Sequence, residues 1–152
     1  MSGKSLHEKI KNLLIELGQG EGYRAYSGDS EPLDVRIKQK HIEYKPDVIW
    51  KTKKGRHYIF EIAFTEDWRA VVGEYTLSWI SNSSKYFVFR LVEGEEELDF
   101  EYDLLSNLLG ILSERFKKTS WYFWIITKDE AKDFDMLSRK IKKQLKEWKF
   151  IT

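Results

Sequence analysis

The chain has 152 residues, 41% hydrophobic and 34% charged, with 26 bases against 25 acids for a formal net charge of +1. That balance excludes a disordered segment, which needs few apolar residues and a large net charge, and it removes any bulk electrostatic pull toward polyanions. Cysteine is absent, which excludes disulfide scaffolds, thiolate zinc sites and thiol nucleophiles; with no apolar run of membrane-spanning length and no signal-peptide pattern, the expected setting is the cytoplasm.

Residues 5–17 read as a helix. Leu6, Ile10, Leu13, Leu14 and Leu17 share a face, Ser5 and Glu8 have capping-box spacing, and Gly18 is the expected stop. Residues 18–33, rich in Gly, Ser and acids, read as loop with a short strand at about 23–26. Three strands are expected next. Leu33, Val35 and Ile37 alternate with Asp34, Arg36 and Lys38; Val48-Ile49-Trp50 follows Pro46-Asp47; residues 58–64 are strand-like throughout. Between the last two, Lys53-Lys54-Gly55 has the form of a three-residue hairpin loop with Gly at the left-handed position. A helix is predicted at about 66–80, from Trp68, Val71, Val72, Tyr75 and Trp79, with Thr65, Glu66 and Asp67 at its positive end. A strand at 86–91 follows. Leu104, Leu105, Leu108, Leu109, Leu112 and Phe116 mark another helix, 121–126 a strand covered on both faces, and Phe134, Leu137, Ile141, Leu145 and Trp148 a last helix. This order predicts one α/β domain over residues 1–152: a mixed sheet flanked by helices, with a core over about 5–91 and an extension over about 103–150.

Charge is distributed unevenly. Residues 34–57 hold eight bases against three acids, whereas residues 93–103 hold seven acids and no base, a stretch suited to a basic protein partner. The three histidines show no metal-ligand spacing and read as structural or exposed, although His57 shares the strand parity of Glu61; the six Trp read as packing.

The hairpin carries the chemistry. A loop of residues 53–55 pairs Thr52 with Arg56, and the same register puts Asp47 opposite Glu61 and Lys45 opposite Ala63. Directly opposed side chains lie about 5 Å apart, so two facing carboxylates repel unless a cation lies between them. Glu61 also stands inside an apolar strand, where an uncompensated carboxylate is costly. The bland alternatives are that Asp47 opens a strand or caps a turn and Glu61 forms an ordinary ion pair with Lys45 or Arg69.

Pro46-Asp47, thirteen intervening residues, then Glu61-Ile62-Ala63 resembles the PD-(D/E)XK nuclease signature. The order helix, three strands, helix, strand over about 5–91 is similar to the restriction-endonuclease-like αβββαβ core of restriction endonucleases and archaeal Holliday-junction resolvases. The resemblance implies a nuclease that hydrolyses phosphodiester bonds, in DNA, with Mg²⁺ or Mn²⁺ held by Asp47, Glu61 and the Ile62 carbonyl. Glu8 matches a further acid of resolvase-like members, though its spacing from Ser5 equally makes it a capping residue. The chain departs from the motif at Ala63, which stands where the family's lysine orients the attacking water. Lys45 is the first candidate to supply that cation and Arg69 the second. Lys38, Lys40, Lys51, Lys53 and Lys54 are candidate contacts to the nucleic-acid backbone. A homodimer suits the cutting of two strands. The alternative is a catalytically inactive module on the same fold that binds nucleic acid or a protein partner.

Overall fold

A computed structural model describes residues 3–28, 37–39, 42–81 and 83–152. The first helix, α1 (Gly3–Gly20), is helical before Ser5 and continues past Gly18, so neither residue ends it. Gly18 serves packing instead. A Cβ there would lie 2.5 Å from Trp50 Nε1 and 2.8 Å from Ala25 Cβ. The Trp50 indole N–H donates to Leu14 O at 2.8 Å, so the helix needs a bare backbone where the strand presses on it.

The strand after α1 is β1 (Arg24–Ser27), and it, not the expected strand over 33–38, opens the sheet. Residues 33–36 lie outside the described residues. Residues 37 and 38 belong to β2 (Ile37–Gln39), which pairs with β3 (Ile42–Tyr44) in a separate two-stranded sheet. The main sheet continues with β4 (Val48–Lys51), β5 (His57–Ile62), β6 (Lys85–Val92) and β7 (Ser120–Thr127), in the spatial order β1-β4-β5-β6-β7. The pairs β1·β4 and β4·β5 are antiparallel, and β5·β6 and β6·β7 are parallel. The sheet is therefore mixed, with helices supplying the parallel crossovers. The β4–β5 hairpin has the expected register, with Val48 opposite Phe60 and Lys51 opposite His57. Thr52 N–H donates to Arg56 O, and Gly55 takes φ +79°, which a side chain would strain.

Alternation along the strands builds a core on each face. Val48, Trp50, Phe60, Ile62, Phe87 and Phe89 pack against α1 and α5 (Phe134–Glu147), which follows the single turn α4 (Lys128–Ala131). Phe60 and Phe87 stack at 4.4 Å, and Phe89 and Trp124 also at 4.4 Å. Ile49, Ile59, Ala63, Tyr86 and Val88 pack against α2 (Trp68–Ile80) and α3 (Glu95–Arg115). Asp67 caps α2, accepting from Arg69 N and Ala70 N. Much of the acidic stretch is helix, since Glu95, Glu96 and Glu97 form the first turn of α3 and complement its dipole. Trp68 and Trp79 are exposed, so not every Trp is core. Among the described residues no helix is long and apolar enough to cross a membrane.

Candidate active site

Asp47 immediately precedes β4 and Glu61 is the next-to-last residue of β5, so the hairpin register brings them to the same end of the sheet. They meet. Asp47 N–H donates to Glu61 Oε1 at 3.1 Å, and Ile62 N–H donates to Asp47 Oδ2 at 2.7 Å. Each carboxylate thus accepts from a backbone N–H across the hairpin. The Pro46-Asp47 turn is held from the opposite side by Gly28, whose N–H donates to Asp47 O at 3.3 Å. A Cβ on Gly28 would lie only 2.0 Å from Pro46 O.

The inner face of α2 adds a third acid. Val71, Tyr75 and Ser78 face the sheet, and Glu74 stands beside them. Tyr44 OH donates to Glu61 Oε1 at 3.1 Å, and Tyr86 OH donates to Glu74 Oε2 at 3.3 Å. Burial pushes the Glu61 carboxyl well above the usual range, and the charges of Glu74 and Asp47 push it further. Burial, followed by Glu66 and Asp47, pushes Glu74 up to about 7. Without an added cation, burial and the neighbouring acids therefore favour the protonated form of both carboxyls. Glu66 is raised too, by burial and then by Asp47. Among the described residues no base forms an ion pair with Glu61, whose oxygen accepts from the Tyr44 hydroxyl and the Asp47 N–H.

On the α1 side, His7 Nε2 lies 3.5 Å from Asp47 Oδ2, and its ring sits edge-on to Phe64. The hydrogen bond to Asp47 outweighs burial and raises the imidazole pKa. His7, Glu8, Ile62, Phe64, Thr65 and Glu66, with Leu91, line an open cavity of about 530 Å³. Glu8 is exposed at its rim, 4.0 Å from His7 Nδ1 and 3.9 Å from Lys11 Nζ. With α1 already helical at Gly3, Glu8 is a mid-helix residue rather than part of a capping box at Ser5.

Among the described residues no Lys or Arg forms an ion pair with Asp47, Glu61 or Glu74. Ala63 is buried, and its carbonyl accepts from Arg90 Nη1 while Arg90 Nε pairs with Glu101. Arg90 therefore brings a positive charge beside Ala63, with its Nε and Nη1 engaged by Glu101 and the Ala63 carbonyl. Lys45 is exposed. Arg69 points outward, with Nε 3.6 Å from Asp67 Oδ2 and its guanidinium 5.7 Å over the Trp68 ring. Lys51 ends β4, and Lys53 and Lys54 are exposed on the hairpin tip. That tip is six residues from Asp47, roughly 20 Å along the strand, at the opposite end of the sheet. Lys38 lies on β2, and Lys40 is outside the described residues.

Four residues of this region were not singled out by sequence reasoning. Arg90 carries the signal that marked Glu61, a charge inside an apolar strand. Glu74 was legible as an acid on the sheet-facing side of a helix. His7 and Glu66 are brought in by tertiary contact and had no such signal. His57 has the parity of Glu61 but lies at the hairpin end, with Nε2 buried and without a hydrogen-bond partner.

A divalent ion suits the donor chemistry, since Asp47, Glu61 and Glu74 offer hard oxygen ligands and, among the described residues, only His7 beside Asp47 offsets their charge. Among the described residues no three His, Asp or Glu side chains are already gathered to hold one, so binding requires the carboxylates to turn. No protein-family model, curated protein or solved structure matches the chain.

Proposed function

We propose that the chain is a divalent-metal-dependent phosphodiesterase of nuclease type, with DNA as its substrate and the cytoplasm as its setting. The observation that carries this reading is the uncompensated acidic cluster. Glu61 and Glu74 stand half-buried near Asp47, beside an open cleft lined by His7, Ile62 and Glu66, and among the described residues no base forms an ion pair with either glutamate. Structural carboxylates at this depth are normally paired with a base. Mg²⁺ or Mn²⁺ would supply the missing charge, lower the pKa of a coordinated water and draw charge from a phosphodiester.

Asp47, Glu61 and the Ile62 carbonyl are the proposed ligands, with Glu74 behind Glu61 and Glu8 at the cleft rim. Tyr44 and Tyr86 bury the inner pair and orient it through their hydroxyls. His7 holds Asp47 from the helix side. Lys45 and Arg69, each directed away or exposed, have no assigned step.

Titration calorimetry with Mn²⁺, alone and with Asp47→Asn and Glu61→Gln, tests the metal site. Cleavage assays on single-stranded, duplex and branched DNA test the chemistry. Binding that is lost in both variants, with loss of cleavage, supports the proposal. Cleavage that survives either variant removes this site from it.

A second reading follows from Arg90. Among the described residues the guanidinium beside Ala63 is bonded to Glu101 and to the Ala63 carbonyl, so a non-cleaving module that binds nucleic acid or a protein partner is the alternative. Nucleic-acid binding without metal uptake favours it.

A further inference from the structure

The two edges of the main sheet are built differently. β1 is a four-residue edge beginning at Arg24. β7 is an eight-residue edge, Ser-Trp-Tyr-Phe-Trp-Ile-Ile-Thr, with no charged residue and no proline. About half of the peptide groups of an edge strand point away from its single neighbour. Among the described residues no strand pairs with that outer side. Sheet edges are normally blunted by shortness, by lysine or proline, or by a bulge, and β7 shows neither shortness nor a blocking residue. Its register with β6 is continuous over all eight residues, so it has no bulge either.

The side chains extend the same surface. Trp121, Phe123 and Ile125 on one face and Tyr122 on the other are half-buried, although their neighbours Trp124 and Ile126 are covered. Tyr102 of α3 is exposed yet packs edge-on against Phe123 at 5.4 Å. Apolar surface therefore runs from the strand edge onto the flanking helix.

We propose that β7 pairs antiparallel with β7 of a second copy, about a two-fold axis perpendicular to the sheet, to give a continuous ten-stranded sheet (five strands from each copy). A second copy is the occupant because the surface is self-complementary under that operation. An uncharged edge meets its own uncharged edge. The two α3 helices then lie antiparallel on one face, their dipoles opposed. Each acidic start at Glu95, Glu96 and Glu97 runs against the sense of the partner helix, which ends in Arg115 and the exposed Lys117 and Lys118.

The assembly does not depend on the metal-site reading, but it constrains it. The axis reverses strand direction, so the Asp47–Glu61 ends of the two copies face opposite ways. A dimer of this kind does not present two sites to the two strands of one duplex, contrary to the reason for which a homodimer was expected from sequence. Single-strand scission is the corresponding outcome.

Sedimentation velocity and amide hydrogen exchange test the pairing. The native chain is expected to sediment at twice its 18.2 kDa chain mass, and alternate amides of β7 are expected to lose protection on dilution. Ile125→Lys puts a charge at the edge and is expected to weaken association by at least about 100-fold. Circular dichroism establishes that the variant folds; if it does not, the dilution dependence of exchange in the native chain decides alone. A native monomer at high concentration overturns the proposal. So does a dimer whose β7 amides exchange independently of concentration, or a folded Ile125→Lys variant that dimerises unchanged.

Discussion

The Glu61–Glu74 pair has a measurable consequence for stability. Burial and neighbouring acids move the Glu74 carboxyl from 4.5 to about 7 in the folded chain. The folded state therefore holds a proton that the unfolded state has already released. Where the native state binds more protons, stability falls as pH rises. The penalty is absent below about pH 4.5, grows through neutrality and is complete above about pH 7, reaching about 3 kcal/mol at 1.36 kcal/mol per pKa unit. Glu61 shifts in the same direction and adds to it. For a chain of this length each kcal/mol moves Tm by about 2–4 °C, so metal-free protein should melt roughly 6–12 °C lower at about pH 8 than at about pH 4.5 from this source. Glu74→Gln keeps an acceptor for the Tyr86 hydroxyl and removes the charge. Its melting temperature should match or fall below that of the native chain in acid and exceed it in alkali, so that the two curves cross. Thermal melts in EDTA across that range, monitored by circular dichroism, provide the assay. Parallel curves, or a native chain that gains stability as pH rises, would refute the reasoning. Mn²⁺ added at alkaline pH should restore the native chain and leave Glu61→Gln unmoved, which separates metal binding from the proton effect.

Other outcomes follow from the packing. Gly28→Ala forces a Cβ against the Pro46 carbonyl and should cost about 1–3 kcal/mol in urea unfolding while weakening Mn²⁺ binding through the displaced Asp47 turn. Arg90→Leu leaves Glu101 nearly buried without its partner and should cost about 3–5 kcal/mol; the double variant with Glu101→Leu should recover most of that, as measured by a double-mutant cycle. Trp50→Phe leaves Leu14 O without the indole N–H, and at about 1 kcal/mol it should lower the urea midpoint slightly, with little change in the slope.

Local rules were enough for the hairpin. A glycine that must take positive φ at residue 55 sets the loop, the loop sets the register, and the register alone brings Asp47 to Glu61. The helices were equally legible because a 3.6-residue period is written in short stretches, as at Leu137, Ile141 and Leu145. Where the sequence misled, it was at junctions. Gly18 has the composition of a helix stop, yet its role is steric and belongs to Trp50, 32 positions away. The first strand of the main sheet was assigned to the alternating run at 33–38, although β1 takes that place, because alternation marks a strand without naming its neighbour.

The surroundings of the carboxylates belonged wholly to the tertiary structure. Periodicity tells which face of an element is apolar but not what that face meets. The crossover through α2 aims Glu74 at Glu61, the pitch of α1 carries His7 to Asp47, and strand order puts Arg90 beside Ala63. The uncompensated charge on which the proposed chemistry rests is a property of that assembly. Sequence alone could place two acids across a hairpin; only the packed fold decided that a third acid would stand behind them.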